Sequence, residues 1–293
     1  MLYYHDFATG KSVPVCDRAE CDHQAVDPDS GTSATCNAQI KTYNTVVVYQ
    51  DKIYYVEHAE RHLSLRRRDT DGNNDEKVAD LDASQMGGRM WFYRDRAFLM
   101  ASTDVSGSFD AETRKSDKSR MRLFVINLTN GKTEILAESS LIAAVNYAFN
   151  VYRMEDGKAY YYDLERDKWY VYDIDSGTRT EQDEIRKHAK YGSLGEYVDM
   201  YGDYCYELFT DDSGNSRIMR LDWETGEENI IYEGNDGNVV TFTIWEMDCM
   251  LISELTQDLS KIKNLIWYDM ISGELKPIPD SFYEDYRVYH PYD

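Results

Sequence analysis

The sequence is short of positive charge: 32 Lys and Arg stand against 54 Asp and Glu, a formal net charge of −22 over 293 residues. Such a surface repels nucleic-acid phosphates and anionic lipid, and Arg66-Arg67-Arg68 is its one compact basic run, so no nucleic-acid partner is expected. Long apolar stretches are missing too. The longest are short segments such as Val46 to Tyr49 and Leu141 to Val145, far below the roughly 20 residues of a membrane-spanning helix. The opening residues Met1-Leu-Tyr-Tyr-His-Asp6 carry neither a basic leader nor an apolar segment, so no export signal is visible in this chain. On that reading the protein is cytoplasmic, or a leader lies outside this stretch.

The motifs of familiar chemistries are also lacking. There is no Gly-x-Ser-x-Gly elbow, no Gly-x-Gly-x-x-Gly loop, no Walker sequence and no His-Glu-x-x-His. Paired carboxylates can hydrolyse glycosides, but 54 acidic residues make a pair at suitable separation almost inevitable, so their presence identifies nothing. Histidines number only six; His58 and His62 flank a loop, and His188 falls in a short helix-like segment, residues 183–190. A lone exposed histidine is more often solvated than catalytic. A noncatalytic role is therefore expected, with a carbohydrate-active enzyme using paired carboxylates near a central channel as the alternative.

What the chain does have is aromatic residues and repetition. Hydrophobic residues make up 42%, and 25 Tyr, 9 Phe and 5 Trp are too many for a disordered chain. A chain this long can bury about three quarters of its unfolded surface. A turn of the form Asx-x-x-Ser/Thr-Gly recurs as Asp6-Phe-Ala-Thr-Gly10, Asn127-Leu-Thr-Asn-Gly131 (displaced by one), Asp173-Ile-Asp-Ser-Gly177, Asp222-Trp-Glu-Thr-Gly226 and Asp269-Met-Ile-Ser-Gly273, with the shorter Asp69-Thr-Asp-Gly72 filling the gap. The glycines lie 62, 59, 46, 49 and 47 residues apart, which suits propeller blades of roughly 40–50 residues with two insertions. Glycine supplies the positive φ of a tight hairpin, and Asp or Asn can accept from the turn's own amides.

Each turn has a strand-like segment before it, such as Trp169-Tyr-Val-Tyr172 or Asn264-Leu-Ile-Trp-Tyr268. Upstream lie runs such as Lys52-Ile-Tyr-Tyr-Val56, Arg96-Ala-Phe-Leu-Met100 and Lys158-Ala-Tyr-Tyr-Tyr162, apolar without alternation, as in strands covered on both faces. Earlier still come Thr45-Val-Val-Val-Tyr49, Arg89-Met-Trp-Phe-Tyr93 and Thr241-Phe-Thr-Ile-Trp245. Four antiparallel strands per unit make a blade, so the fold expected is an all-β propeller, residues 1–293 as one domain. Five full units run from about residue 43 to 278. The ends supply a sixth blade, composite or incomplete, from Leu2 to Tyr4, Ser12 to Val15 and an inner strand over Phe282 to Tyr289.

Asp69-Thr-Asp-Gly-Asn73, the Lys-Ile-Tyr-Tyr segment and the Asp-x-x-Thr-Gly turns resemble those of TolB-like six-bladed propellers. Leu2-Tyr-Tyr-His-Asp-Phe-Ala-Thr-Gly-Lys-Ser-Val-Pro-Val-Cys16, Glu20-Cys-Asp-His23 and Cys36-Asn-Ala38 more closely resemble uncharacterised propeller lipoproteins of Gram-positive gut bacteria. That resemblance implies an extracytoplasmic, lipid-anchored precursor and brings no established activity.

Meander connectivity puts the first-to-second and third-to-fourth turns at one face, and the second-to-third loops with the interblade links at the other. The first class is tight throughout. The second holds every long segment: 16–43, 102–120, 136–146, 183–196 and 233–238. Long loops on a rigid scaffold are the usual place for binding, so residues 102–120 and 183–196 are expected on one face, with Phe109, His188 and Tyr191 as candidate contacts to a protein or glycan ligand. Within the first long loop, Cys16, Cys21, His23 and Cys36 offer three thiols and an imidazole, the ligand count of a structural zinc site. Their spacing is not that of a standard zinc ribbon, and in an oxidising compartment a disulfide from Cys36 to Cys16 or Cys21 fits equally. Cys205 and Cys249 lie in apolar strands and are expected in the core. The acidic turn Asp69-Thr-Asp-Gly-Asn-Asn-Asp75-Glu76 invites a calcium reading, but hairpin geometry alone explains it.

Overall fold

A computed structural model describes residues 2–6, 9, 11–23, 36–40, 46–59, 62–103, 109–110, 115–116, 118–141, 148–182, 198–211, 214–222, 224–235, 237–245 and 248–279. Among them every regular element is a strand. β1 (Tyr3–Asp6) and β2 (Lys11–Pro14) form a two-stranded sheet. The first complete blade is β3 (Val46–Tyr49), β4 (Lys52–Ala59), β5 (His62–Asp69) and β6 (Glu76–Leu81). The second begins with β7 (Gln85–Tyr93) and β8 (Arg96–Ser102), leaves for a small hairpin of β9 (Phe109–Asp110) and β10 (Lys115–Ser116), and returns through β11 (Met121–Asn127) and β12 (Thr133–Ser139). The third is β13 (Phe149–Glu155), β14 (Lys158–Asp163), β15 (Lys168–Asp173) and β16 (Thr178–Gln182). The fourth is β17 (Val198–Tyr201), β18 (Tyr204–Thr210), β19 (Ser216–Asp222) and β20 (Glu228–Glu233), and the fifth β21 (Val239–Trp245), β22 (Cys249–Leu255), β23 (Ile262–Asp269) and β24 (Leu275–Pro277).

Five four-stranded antiparallel sheets, each with its strands in chain order, make this an all-β protein of the β-propeller class. The β1–β2 sheet falls where the partial sixth blade is expected. Residues 282–289, which were to complete that blade, and the short helix expected over 183–190 lie outside the described residues. The chain groups into two compact units, one of Met1–His5, Ser12–Met154 and Tyr161–Lys168, the other of Asp6–Lys11, Glu155–Tyr160 and Trp169–Asp293.

Each unit has its own core. In the first, Val56, Leu63, Leu65, Ala97, Leu99, Ala101 and Ile126 are fully buried, and Tyr54 packs on Phe92 with ring centroids 4.7 Å apart. In the second, Tyr206, Ile218, Val240, Met250 and Ile252 are fully buried together. The inner strands are covered on both faces, as their unbroken apolar runs require. The outermost strands are polar instead: β16 is Thr-Arg-Thr-Glu-Gln with four exposed residues, and all of β24 is exposed. Charged, short outer strands discourage pairing with another chain. Where the third strand meets the fourth, the register slips in the first, second and fourth blades, at Leu65/Arg66, Leu123/Phe124 and Ile218/Met219. Such bulges add twist, and no residue pattern announces them.

The repeated turn closes the third-to-fourth hairpin in four blades. Asn127 Oδ1 accepts from the amides of Thr129 and Asn130, Asp222 Oδ1 from those of Glu224 and Thr225, and Asp269 Oδ1 from those of Ile271 and Ser272. Asp173 Oδ1 accepts from Ser176 N in the same way. Those amide bonds hold the carboxyls of Asp173, Asp222 and Asp269 below their ordinary pKa. Gly131 takes φ 71° to end the turn, and a Cβ there would drive into the carbonyl of Val78. Gly273 has φ 75° and open space around it. Gly273→Ala is therefore expected to cost only the left-handed backbone penalty of about 1–2 kcal/mol, and Gly131→Ala at least about 1 kcal/mol more, measured as urea midpoints. Equal costs would show that the Val78 contact relaxes freely.

Two carboxylates tie adjacent blades. Glu165, between β14 and β15, accepts from Ser139 Oγ at 2.8 Å, Ser140 N at 2.7 Å and Ser140 Oγ, and pairs with Lys115 Nζ at 3.2 Å. Glu254 in β22 is 0% exposed and accepts from Tyr232 OH at 2.9 Å, Asn235 N at 2.6 Å, Asn235 Nδ2 at 2.8 Å, Asn238 Nδ2 at 2.8 Å and Asn264 Nδ2. Burial opposes ionisation at both, yet the donors outweigh it and bring each pKa down to about 2.

Candidate metal centre

The chain between β2 and β3 begins with a tight reversal, in which Cys16 N donates to Pro14 O at 2.8 Å and Cys21 N to Arg18 O at 3.1 Å. His23 then takes φ 55°, a left-handed conformation uncommon outside glycine, asparagine, aspartate and histidine. A second arm, residues 36–40, turns through Gln39 N donating to Cys36 O at 3.1 Å. Leu2 splices the two arms: its N–H donates to Ala38 O at 2.7 Å and its carbonyl accepts from Val15 N at 3.1 Å.

These turns bring Cys16, Cys21, His23 and Cys36 together, with all four donor atoms within 4.8 Å of one another. Cys36 Sγ lies 3.7 Å from His23 Nδ1 and is 4% exposed, while the other three residues are half-buried. A tetrahedral ion with bonds of about 2.0–2.3 Å sets its ligands roughly 3.5 Å apart, so a small contraction would close the set. Three thiols and an imidazole are donors of the soft and borderline class, suited to zinc, not to calcium or magnesium. The thiols remain unbonded to one another.

The electrostatics of the cluster are uneven. At Cys16 burial works against the thiolate, but the backbone amides of Arg18 and Asn37 outweigh it and draw the pKa below the ordinary thiol value. Burial pushes Cys36 up to about 11, and the neighbouring Cys21 and Cys16 add to the rise. Three thiolates cannot share so small a volume without a cation, so a bound ion would displace protons as it enters.

Other candidates resolve differently. The carboxylates of the 69–75 turn already have donors: Asp69 takes Lys52 Nζ and Asn74 Nδ2, Asp71 takes Asn73 N at 2.8 Å, and Asp75 takes Tyr55 OH at 2.6 Å and Arg66 Nε at 3.0 Å. These are the contacts of a hairpin turn. The basic run is likewise neutralised, Arg66 by Glu57 and Asp75, Arg67 by Glu76, Arg68 by Asp75. No exposed cationic patch for phosphate results from it. Cys205 and Cys249 are buried in β18 and β22 as expected, and burial pushes Cys249 up to about 12. Phe109 lies in β9, paired with Ser116. His188, Tyr191 and the whole 183–196 segment lie outside the described residues. No helix among the described residues is long and apolar enough to cross a membrane.

No protein-family profile matches the chain, and no curated protein does. Solved structures do. They include oligogalacturonate lyase from Vibrio parahaemolyticus (10% identity, TM-score 0.46, covering 78% of this chain and 62% of that one) and TolB from Acinetobacter baumannii (15%, 0.39, 71% and 50%). Acylaminoacyl peptidase from Pyrococcus horikoshii is similar at 15% identity and TM-score 0.43, covering 78% of this chain and 36% of that one. The chain thus spans less than two thirds of each of these proteins, and its site rests on its own residues.

Proposed function

We propose that this chain is a noncatalytic binding or scaffold module that engages its ligand, a protein or a glycan, through its long connections, with a structural zinc ion stapling the Cys16–Cys36 loop. The observation that carries the reading is the inequality of its connections. First-to-second turns are as short as Gln50–Asp51, Arg94–Asp95, Asp156–Gly157 and Gly202–Asp203, whereas far longer stretches of sequence separate β8 from β11, β12 from β13 and β16 from β17. Long connections on a rigid sheet scaffold are where binding roles are acquired.

The charge states of Glu165 and Glu254 rule these two carboxylates out as general acids. A general acid for glycoside cleavage needs a raised pKa, and Glu165 and Glu254 are held at about 2 by structural donors. Zinc is favoured over a disulfide because four donors converge; a disulfide would use two and leave His23 without a role. The likeness of the cysteine segment to propeller lipoproteins supports an extracytoplasmic, lipid-anchored precursor.

A panel of glycans and peptides, assayed for both binding and turnover, tests the reading. Saturable binding without turnover is expected, weakened about tenfold or more by Phe109→Ala, His188→Ala or Tyr191→Ala. Turnover abolished by a single carboxylate substitution would replace the module with an enzyme.

A further inference from the structure

We infer that the third-to-fourth turn of the first blade, residues 69–75, is the outer shell of the metal centre, and that Arg68 at the end of β5 is its principal positioning residue. The inference rests on the metal reading above and concerns what orients the ligands. Arg68 is 4% exposed. Its Nη2 donates to Asp75 Oδ2 at 2.5 Å and Tyr55 OH at 2.7 Å, and its guanidinium lies 4.9 Å from the Tyr55 ring centroid. So fixed, its Nη1 donates to Asn37 O at 2.5 Å and Gln39 O at 3.3 Å, two carbonyls that closely follow Cys36.

Asn73 holds both arms at once. Its Oδ1 accepts from Asn37 Nδ2 at 2.7 Å, and its Nδ2 donates to Asp17 Oδ2 at 2.7 Å. One side chain thereby joins the residue after Cys36 to the residue after Cys16. Between these contacts the backbone of Gly72, at φ 87°, comes so close that a Cβ would run into Val15 O and meet Asn37 Cβ at 2.9 Å. The turn therefore touches the residues on both sides of Cys16 and the residue following Cys36. Groups that orient metal ligands change affinity by about 10–100-fold when removed, and the coupling is reciprocal: what positions the ion is stabilised by it.

The test uses the full chain, with zinc affinity read by competition against a chromogenic chelator and the ligand set read from the absorption of bound cobalt. Wild type is expected to give the intense bands of a tetrahedral thiolate site. Arg68→Met and Asn73→Ala are expected to keep those bands while losing about 10–100-fold in affinity. Asn73 is only half-buried, so its variant keeps the measurement meaningful if Arg68→Met fails to fold, which far-ultraviolet dichroism reports. Zinc should also slow hydrogen exchange at the Asp69 and Gly72 amides in wild type and not in Cys36→Ser. Folded variants with wild-type affinity, or exchange in the turn indifferent to zinc, would overturn the outer-shell role while leaving the metal site standing. A wild type that binds neither ion would overturn the metal reading itself.

Discussion

Wild type is expected to purify with one equivalent of zinc and the Cys36→Ser variant without it, while Cys205→Ser keeps it. Both cysteines are buried, and Cys36 is the one that belongs to the cluster of three thiols and an imidazole. The effect on stability follows from mass action: an ion that binds only the folded chain contributes about 4 kcal/mol when its free concentration is 1,000-fold above Kd. Chelation should therefore lower the unfolding midpoint of wild type by roughly that energy and leave Cys36→Ser unchanged. The pH dependence has a definite sign. Cys36 is protonated up to about pH 11 without metal, so binding must expel its proton, and affinity should fall as pH falls. Elemental analysis finding no metal, together with two of the three thiols joined in native protein, would replace the ion with a covalent staple.

The second large effect is expected at Glu254. Glu254→Ala would strand Tyr232, Asn235, Asn238 and Asn264 around a vacated, fully buried position. A loss of about 3–5 kcal/mol is expected, on the order of 10 °C in Tm, because buried donors without an acceptor carry their full desolvation cost. An exposed comparison, Glu228→Ala in β20, should change stability by less than about 0.5 kcal/mol. The folded pKa of Glu254, about 2, lies below its ordinary 4.5, a difference worth about 3 kcal/mol. A depressed carboxylate stabilises fully above the unfolded value and loses that contribution as pH falls toward the folded one. Wild type should thus weaken between about pH 4.5 and 2, and the gap between wild type and variant should close over the same range. A gap that persists to pH 2 would show that Glu254 acts through packing and not through its charge.

The strands were readable from the chain because two local signals coincide: apolar runs without alternation, and Asx-led turns ending in glycine. Lys158-Ala-Tyr-Tyr-Tyr162 and Asp173 to Gly177 fall where those signals put them, in β14 and at the β15–β16 hairpin. The grouping of Cys16, Cys21, His23 and Cys36 was readable by count alone. What holds the group was not. Arg68 sits in a run of three arginines that reads as solvated charge, yet its partner Asn37 lies across a long polar loop, and nothing local joins them. The splice through Leu2 and the left-handed turn at His23 are equally silent in the residue pattern. Glu254 was hidden for the opposite reason, since one acid among 54 acidic residues stands out only once its five donors are seen around it.

The self-capping turn also bears on how such a chain can diverge. Where an Asp or Asn side chain satisfies the hairpin's own amides, the turn supplies its own closing contacts. The first blade departs from that economy: its Asp69 faces Lys52 and Asn74 instead of the turn's amides, and its Gly72 and Asn73 are committed to residues near Cys16 and Cys36. Its hairpin is thereby committed to the stretch of chain that carries the metal ligands, so substitutions in it should be less interchangeable with those of its sister blades.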